Sequence, residues 1–158
     1  MSVRIATRDD AAGIAGVHIR AWQQTYAALV EPGELDDLPV DRRSQRWTDI
    51  IDEGRTTVYV AEVDDSIVGF ASAGSRRDHE FVRPLELEAL YVLAEYHGTG
   101  VGQSLLDAAI GDVPAFLFVA ERNPRATRFY ERNRFVFDGV EESFPLVRTP
   151  VRSLRMVR

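Results

Sequence analysis

The chain contains no cysteine and no lysine. The first absence excludes disulfides, thiolate metal sites and an acyl-cysteine intermediate. The second excludes a lysine Schiff base and a P-loop lysine, because every basic residue is arginine. Histidine is scarce: His18, His79 and His97 are far apart in sequence, which leaves a multi-histidine site little to work with, and no metal is expected. No apolar run approaches the ~20 residues that span a bilayer, so no membrane partner is expected. The stretch from Met1 to Asp10 turns charged too soon for a secretory signal, and the expected location is cytoplasmic. Positive charge is in deficit, 19 basic residues against 25 acidic ones, or 19 − 25 = −6. Nucleic-acid binding needs a basic face, so no nucleic-acid partner is expected. A cationic substrate would instead be attracted.

At 158 residues the chain has single-domain length and can bury a core without staples. No repeat, low-complexity tract or Pro/Gly/Ser linker divides it, and residues 1–158 are read as one domain. Thr7 and Asp10 match a capping box. Ile14, Val17, His18, Ala21, Trp22, Thr25, Tyr26 and Leu29 follow at three-four spacing, which predicts a first helix with one broad apolar face, ended by Glu31-Pro32-Gly33. A second helix is expected over 41–52, with Trp47, Ile50 and Ile51 inward. Residues 56–63 and 67–74 read as strands paired through a tight turn at Asp64-Asp65-Ser66. A polar loop over 75–80 holds His79, which is given no role. Residues 85–92 read as a third strand, whose period of two puts Glu86 and Glu88 on one face.

A further helix is expected from 101, with Val101, Leu105, Leu106, Ala109 and Ile110 inward. An apolar strand over 115–120 follows, then a helix opened by Asn123-Pro124, a good cap and first residue. Its inward stripe is Ala126, Phe129 and Tyr130. Closing strands are expected at 135–138 and 151–157, and 141–150 reads as irregular. Helices and a hairpin followed by a strand-helix-strand-helix unit make an α/β (α+β) domain with a mixed sheet.

Gly98, Gly100 and Gly102 alternate through a strand-to-helix turn. Glycine lets the backbone approach a ligand closely. The free amides of the helix start, Val101 to Gln103, carry the positive end of the dipole and suit a pyrophosphate. A plain tight turn would use the same residues. No Gly-Lys-Ser/Thr follows, so this is no P-loop. A dinucleotide fingerprint needs glycine where Gln103 stands, and two helices and a hairpin precede the loop.

Leu90-Tyr91-Val92 followed by Glu95-Tyr96-His97-Gly98-Thr99-Gly100-Val101-Gly102 resembles the acetyl-CoA signature of the GNAT N-acetyltransferase superfamily. That signature is Gln/Arg-x-x-Gly-x-Gly/Ala, placed after a strand and at a helix start. Asn123-Pro124 with Phe129-Tyr130-Glu131 resembles the second signature, an Asn at a strand end and a Tyr one or two turns into the next helix. The order of elements is similar over nearly the whole chain. The resemblance implies a GNAT-like fold, a mixed, mostly antiparallel sheet with a splayed parallel strand pair flanked by about four helices. It implies acetyl-CoA as cofactor, coenzyme A as product, and a homodimer.

It also implies roles. The amides of His97, Gly98, Thr99, Gly100, Val101, Gly102 and Gln103 would hold the pyrophosphate. The backbone of Leu90, Tyr91 and Val92 would pair with the pantetheine arm, and the Val92 amide would polarise the thioester carbonyl. Asn123 would cap its helix, bond the pantetheine, or both. Tyr130 would protonate the leaving thiolate, a role open to a phenol with a pKa near 10; packing in the core is its other reading. Two positions depart from the pattern. His97 stands where Gln or Arg is usual, and Arg134 where glycine is common after the helix, which strains the turn if Arg134 is left-handed.

Amine acetylation needs a neutral amine, and an alkyl amine with a pKa near 10.4 must lose a proton. Glu86 is the first choice for general base, since it resembles in spacing the base of family members that use a Glu on this strand. Glu88 on the same face is the second, as base or as a site for a cationic substrate. Trp22 and Tyr26 line the acceptor site or pack in the core, and His18 is read as a core histidine. The expected function is direct acetyl transfer to a primary amine, of a small molecule first, with a protein N-terminus or lysine as the alternative acceptor. A non-catalytic acyl-CoA-binding module is the alternative from another class.

Overall fold

A computed structural model of the chain describes residues 1–75 and 82–158. His79 and nearly all of the loop expected at 75–80 lie outside the described residues. The elements, in order, are β1 (Ser2–Ile5), α1 (Ala11–Tyr26), α2 (Val40–Glu53), β2 (Thr56–Val63), β3 (Ser66–Gly74), β4 (Leu85–Val92), α3 (Val101–Ile110), β5 (Ala115–Ala120), α4 (Pro124–Arg132), β6 (Val136–Pro145) and β7 (Pro150–Val157). The strands form one seven-stranded sheet in the order β1-β2-β3-β4-β5-β7-β6. Every pairing is antiparallel except β4 with β5.

The local signals explain most boundaries. Thr7 and Asp10 form the capping box, around a 3-10 turn that runs directly into α1. Gly54 stops α2 in the left-handed region at φ 63°, where glycine carries no Cβ penalty. Asp64 and Asp65 both take positive φ (48° and 59°), the dihedrals of a type I′ hairpin turn, which Asp tolerates.

Three expectations need correcting. α1 ends at Tyr26, followed by a 3-10 turn over Ala27–Leu29, so the helix stops short of Pro32. β1 was not expected; its four residues are mostly exposed at the sheet edge and carry no alternation to read. β6 continues to Pro145, through a register shift between Phe137 and Glu141, over the first half of the stretch expected to be irregular. Its residues are nearly all exposed, so pairing with β7, not burial, holds it.

The sheet buries a different cluster on each face. Leu105, Leu106, Leu117, Phe135 and Met156 centre one, around α3. Ile14, Trp47, Val60 and Phe70 centre the other, beneath α1 and α2. A third, smaller cluster joins Tyr26 and Leu35 to Ala120, Leu146 and Val151. It carries the connection after α1 across to the β6–β7 end. That connection is pinned there: the buried Glu34 carboxylate accepts from the Thr149 amide (2.8 Å) and hydroxyl (2.6 Å) and from the Arg148 amide. No helix among the described residues is long and apolar enough to cross a membrane.

Candidate active site

β4 and β5 are paired only at Leu85–Ala115 and Glu86–Phe116. Beyond that seam they part, and Leu87 to Val92 face Phe118 to Ala120 across a cavity of about 370 Å³. One bond sets the phase of β4: the Leu93 amide donates to the Val68 carbonyl at 2.9 Å. Residues of an antiparallel ladder alternate between facing their partner and facing away. With Val92 opposite Gly69 and Leu90 opposite Ala71, Leu90 and Val92 turn their N–H and C=O into the gap, while Tyr91 directs its own to β3. Gly69 must be glycine here, since a Cβ would lie 2.9 Å from the Tyr91 carbonyl oxygen.

One of the exposed β4 acceptors is taken. The Val92 carbonyl lies 2.9 Å from His97 Nε2, and Arg125 Nη1 lies 2.6 Å from His97 Nδ1. A guanidinium only donates, so Nδ1 accepts and Nε2 carries the proton to Val92. Burial lowers the His97 pKa, with Arg125 acting in the same sense and the Val92 bond opposing. The ring is neutral, with its tautomer set by its two partners.

The loop then turns through Gly98 (φ 78°) and Gly100 (φ 95°), a region that side-chain-bearing residues rarely enter. No side chain caps α3. The first helical bond comes from the Ser104 amide to the Gly100 carbonyl, at 3.0 Å, so the amides of Val101, Gly102 and Gln103 have no helical acceptor. Gly100, Gly102 and Gln103 line the cavity, which therefore receives the positive end of the α3 dipole.

α4 closes the opposite wall. Asn123 Oδ1 accepts from the Ala126 amide at 3.2 Å, as an N-cap. Tyr130 is buried against Phe129 and Phe135 (ring centroids 5.3 and 5.8 Å away) and lines the cavity. Its hydroxyl has no hydrogen-bond partner among the described residues. Burial, and secondarily Tyr91, raise its pKa above the usual tyrosine range.

The far end of the cavity carries a carboxylate. β4 bulges where Ser72 pairs with Ala89 but Ala73 with Leu87, and Glu88 is the extra residue. Thr56 Oγ1 donates to both Glu88 oxygens (3.0 and 3.1 Å). The carboxylate passes over Gly74, where a Cβ would sit 3.1 Å from Glu88 Oε1. Tyr26 and Tyr91 line the same cavity, and their hydroxyls meet at 3.3 Å. An edge strand offered to an extended ligand, a helix start offered to an anion and a carboxylate beyond them form one continuous space.

The model of the Acetyltransferase (GNAT) family matches residues 17–135. The chain belongs to the GNAT family. It is an acyltransferase of the N-acetyltransferase type. Among its relatives, an N-acetyltransferase of Bacillus subtilis named YuaI, itself uncharacterised, is 31% identical over 150 residues, covering 89% of this chain and 85% of the relative. The ribosomal-protein-alanine N-acetyltransferase of Brucella melitensis superposes with a TM-score of 0.74 at 23% identity, over 100% of this chain and 99% of the other. The PaiA N-acetyltransferase of Thermoplasma acidophilum, solved with coenzyme A, gives 0.69 at 19% identity over 98% of each chain. The splayed parallel pair and the seven strands are thus the GNAT fold.

Within that fold the cavity brings together Tyr26, Glu88, Leu90, Tyr91, Val92, His97, Gly98, Gly100, Gly102, Gln103, Asn123 and Tyr130. Four expected residues lie outside its lining. Thr99 turns its hydroxyl back to the Tyr96 carbonyl (2.7 Å), and Val101 is buried in the core. Glu86 sits in the closed part of the seam. Trp22 packs under α1, with the Arg43 guanidinium 4.5 Å over its ring. His18 is likewise internal: its Nδ1 accepts from Trp47 Nε1 at 3.2 Å and its ring touches Trp22, Phe70 and Tyr91. Sequence reasoning missed Arg125, Arg128 and Arg132. Their i, i+3, i+7 spacing was readable, but that this face of α4 meets the cavity was not.

Proposed function

We propose that this GNAT protein transfers an acetyl group from acetyl-CoA directly to the primary amine of a small cationic molecule. The observation that carries the reading is the unpaired β4 edge opening beside the uncapped start of α3, with the Tyr130 hydroxyl in the same space. The donor set fits the cofactor. Leu90 and Val92 offer backbone groups to an amide-bearing arm, and Val101, Gly102 and Gln103 offer amides to a diphosphate. Bound acetyl-CoA supplies an activated thioester carbonyl. The Val92 N–H is aimed into the gap and would donate to that carbonyl's oxygen as negative charge develops. Tyr130, held protonated by burial, donates to the departing sulfur.

Glu88 is the carboxylate at the cavity. It attracts an ammonium group and accepts its proton, directly or through water, while the Thr56 hydroxyl keeps it in place. Glu86 remains the rival base, and comparing the two glutamine variants separates them. No cysteine is present to carry the acyl group, so transfer proceeds within a ternary complex.

Calorimetric titration with acetyl-CoA, coenzyme A and NADH tests the cofactor assignment. Micromolar binding of the first two and none of the third is expected; no acyl-CoA binding would overturn it. A screen of amines, amino acids and short peptides with thiol detection then tests the acceptor. Thiol release with small diamines or amino sugars supports the reading, and release only with peptides moves the acceptor to proteins. Binding without release for any amine would make the chain an acyl-CoA-binding module.

A further inference from the structure

Among the described residues, the buried acidic side chains are Asp10 and Glu34. A buried carboxylate is costly unless a cation or hydrogen bonds compensate it. Asp10 is matched by the Arg4 guanidinium at 2.8 Å. Glu34 is matched from across the fold, by the Thr149 amide and hydroxyl and the Arg148 amide. These donors hold its pKa down to about 2, so the contact stays ionised near neutral pH.

The split in the sheet gives that contact its place. β4 and β5 are joined at Leu85–Ala115 and Glu86–Phe116, at the start of both strands, and the gap opens toward Val92 and Ala120. On one face α3 packs on β3 and β4, and the core around it runs on to Leu117 and Met156, so it spans the split. On the other face α1 packs on β3 and β4. There the crossing to the β5–β7–β6 half is made by the small cluster of Tyr26, Leu35, Ala120, Leu146 and Val151. Glu34 adjoins Leu35, whose carbonyl accepts from Gln23 Nε2 of α1 at 2.8 Å. α1, the connection after it and the β6–β7 turn are thus fastened together at the open end of the gap.

The cavity runs through this split. Gly98, Gly100, Gly102 and Phe129 line it on the α3–α4 face, and Thr25 and Tyr26 line it on the α1 face. With the cofactor on the first face, an acceptor amine enters from the second. Tyr26 and Ala120 belong both to the lining there and to the fastened cluster.

We propose that Glu34 is a positioning residue that sets the width of the acceptor entrance, clasping the two halves of the sheet so that slender amines enter and bulky ones are rejected. This rests on the acetyl-transfer reading above. Glu34 acts through the Tyr26 and Ala120 walls. Walls held at one spacing reject a ligand that is too wide, because overpacking is costly.

The test compares two diamines of equal charge and different girth, putrescine and p-xylylenediamine, with acetyl-CoA as donor. The wild type should show a kcat/KM for putrescine at least ~10-fold above that for p-xylylenediamine. In E34A that ratio should fall to within about threefold of unity, with the acetyl-CoA Kd, read by calorimetry, little changed. E34Q should keep the wild-type ratio, since its amide oxygen still accepts from both backbone amides and its NH2 can donate to the Thr149 hydroxyl. T149V removes that hydroxyl alone and should shift the ratio in the same direction as E34A but less. It keeps the test open should E34A fail to fold, which circular dichroism checks. A carboxylate that merely ties down the β6–β7 turn would change both diamines equally, so an unaltered ratio in E34A and T149V overturns the clasp. A wild type without the preference overturns it too, as does acetyl-CoA binding with no acetylation of either diamine; both leave the cofactor reading standing. Failure to bind acetyl-CoA overturns both.

Discussion

Tyr130 keeps its proton because burial penalises the phenolate, and the nearby Tyr91 adds to the effect. A phenol whose pKa lies above its ordinary value of ~10 stays neutral across the working range, so the proposed donor role predicts that the alkaline limb of a pH–rate profile does not report it. The Y130F variant keeps the ring contacts with Phe129 and Phe135 and loses only the hydroxyl. Turnover with the best amine from the screen should fall on the order of 10²-fold, with the acetyl-CoA Kd changed less than about twofold, because no hydrogen bond among the described residues depends on that oxygen. Unchanged turnover would remove the thiolate role. The two glutamates separate in the same assay. E88Q should raise the amine KM and alter the acid limb of kcat/KM, and E86Q should leave that limb where it is. The reverse pattern would return the base to Glu86.

At the scale of elements, the end of α4 shows a conflict that the sequence announced. Arg134 is left-handed at φ 68°. The Phe135 amide bonds the Tyr130 carbonyl and the Arg134 amide the Glu131 carbonyl, both at 3.0 Å. That is the Schellman arrangement, whose C′ residue is ordinarily glycine. An L-residue there costs roughly 1–2 kcal/mol, partly offset because glycine loses more entropy on folding. The Arg134–Asp112 ion pair is exposed on both sides and contributes little. R134G should therefore stabilise the fold by about 0.5–1 kcal/mol and raise Tm by roughly 1–4 °C, with acetyl-CoA binding unchanged. A lower Tm would show that the side chain contributes more than its backbone strain takes away. Arg134 was legible because a cap is local. So were the Asp64-Asp65 turn, the glycine loop and the Asn123 cap, each decided by a few adjacent residues. The β4 bulge was not, because it is a relation between strands; period two put Glu86 and Glu88 on one face but could not show that only Glu88 reaches the cavity. The His97–Arg125 bond spans a strand and a helix, and nothing in the spacing foretold it.

At the scale of the molecule, the two faces of the sheet respond differently to acid. The face under α1 and α2 holds His18 amid Trp22, Trp47, Phe70 and Tyr91. Burial, and then the Arg43 charge, push its pKa down to about 3. In the unfolded chain the same ring titrates near 6.5. Below that value the unfolded state gains a proton that the folded state does not, so stability falls as pH falls, from about 6.5 down to about 3. The slope is ~1.4 kcal/mol per pH unit, or roughly 2 kcal/mol lost between pH 7 and pH 5. The lowered pKa of His97 acts in the same direction. The carboxylates held low, Asp10 by Arg4 and Glu34 by Thr149 and the Arg148 amide, each to about 2, contribute stability that is lost only further down, below their unfolded values near 4. The interval from pH 7 to 5 therefore belongs to the histidines. The wild-type Tm should drop by roughly 4–8 °C across it. In H18Q, whose amide oxygen can still accept from Trp47 Nε1, most of that drop should vanish. Comparing the change in Tm within each protein makes the test independent of any loss of absolute stability in the variant. An equal drop in both would mean that His18 is protonated in the fold, with the Trp47 and Arg43 contacts rearranged around it. Because the His18 ring also packs on Tyr91, which forms one wall of the cavity, that outcome would carry the pH dependence into the site itself.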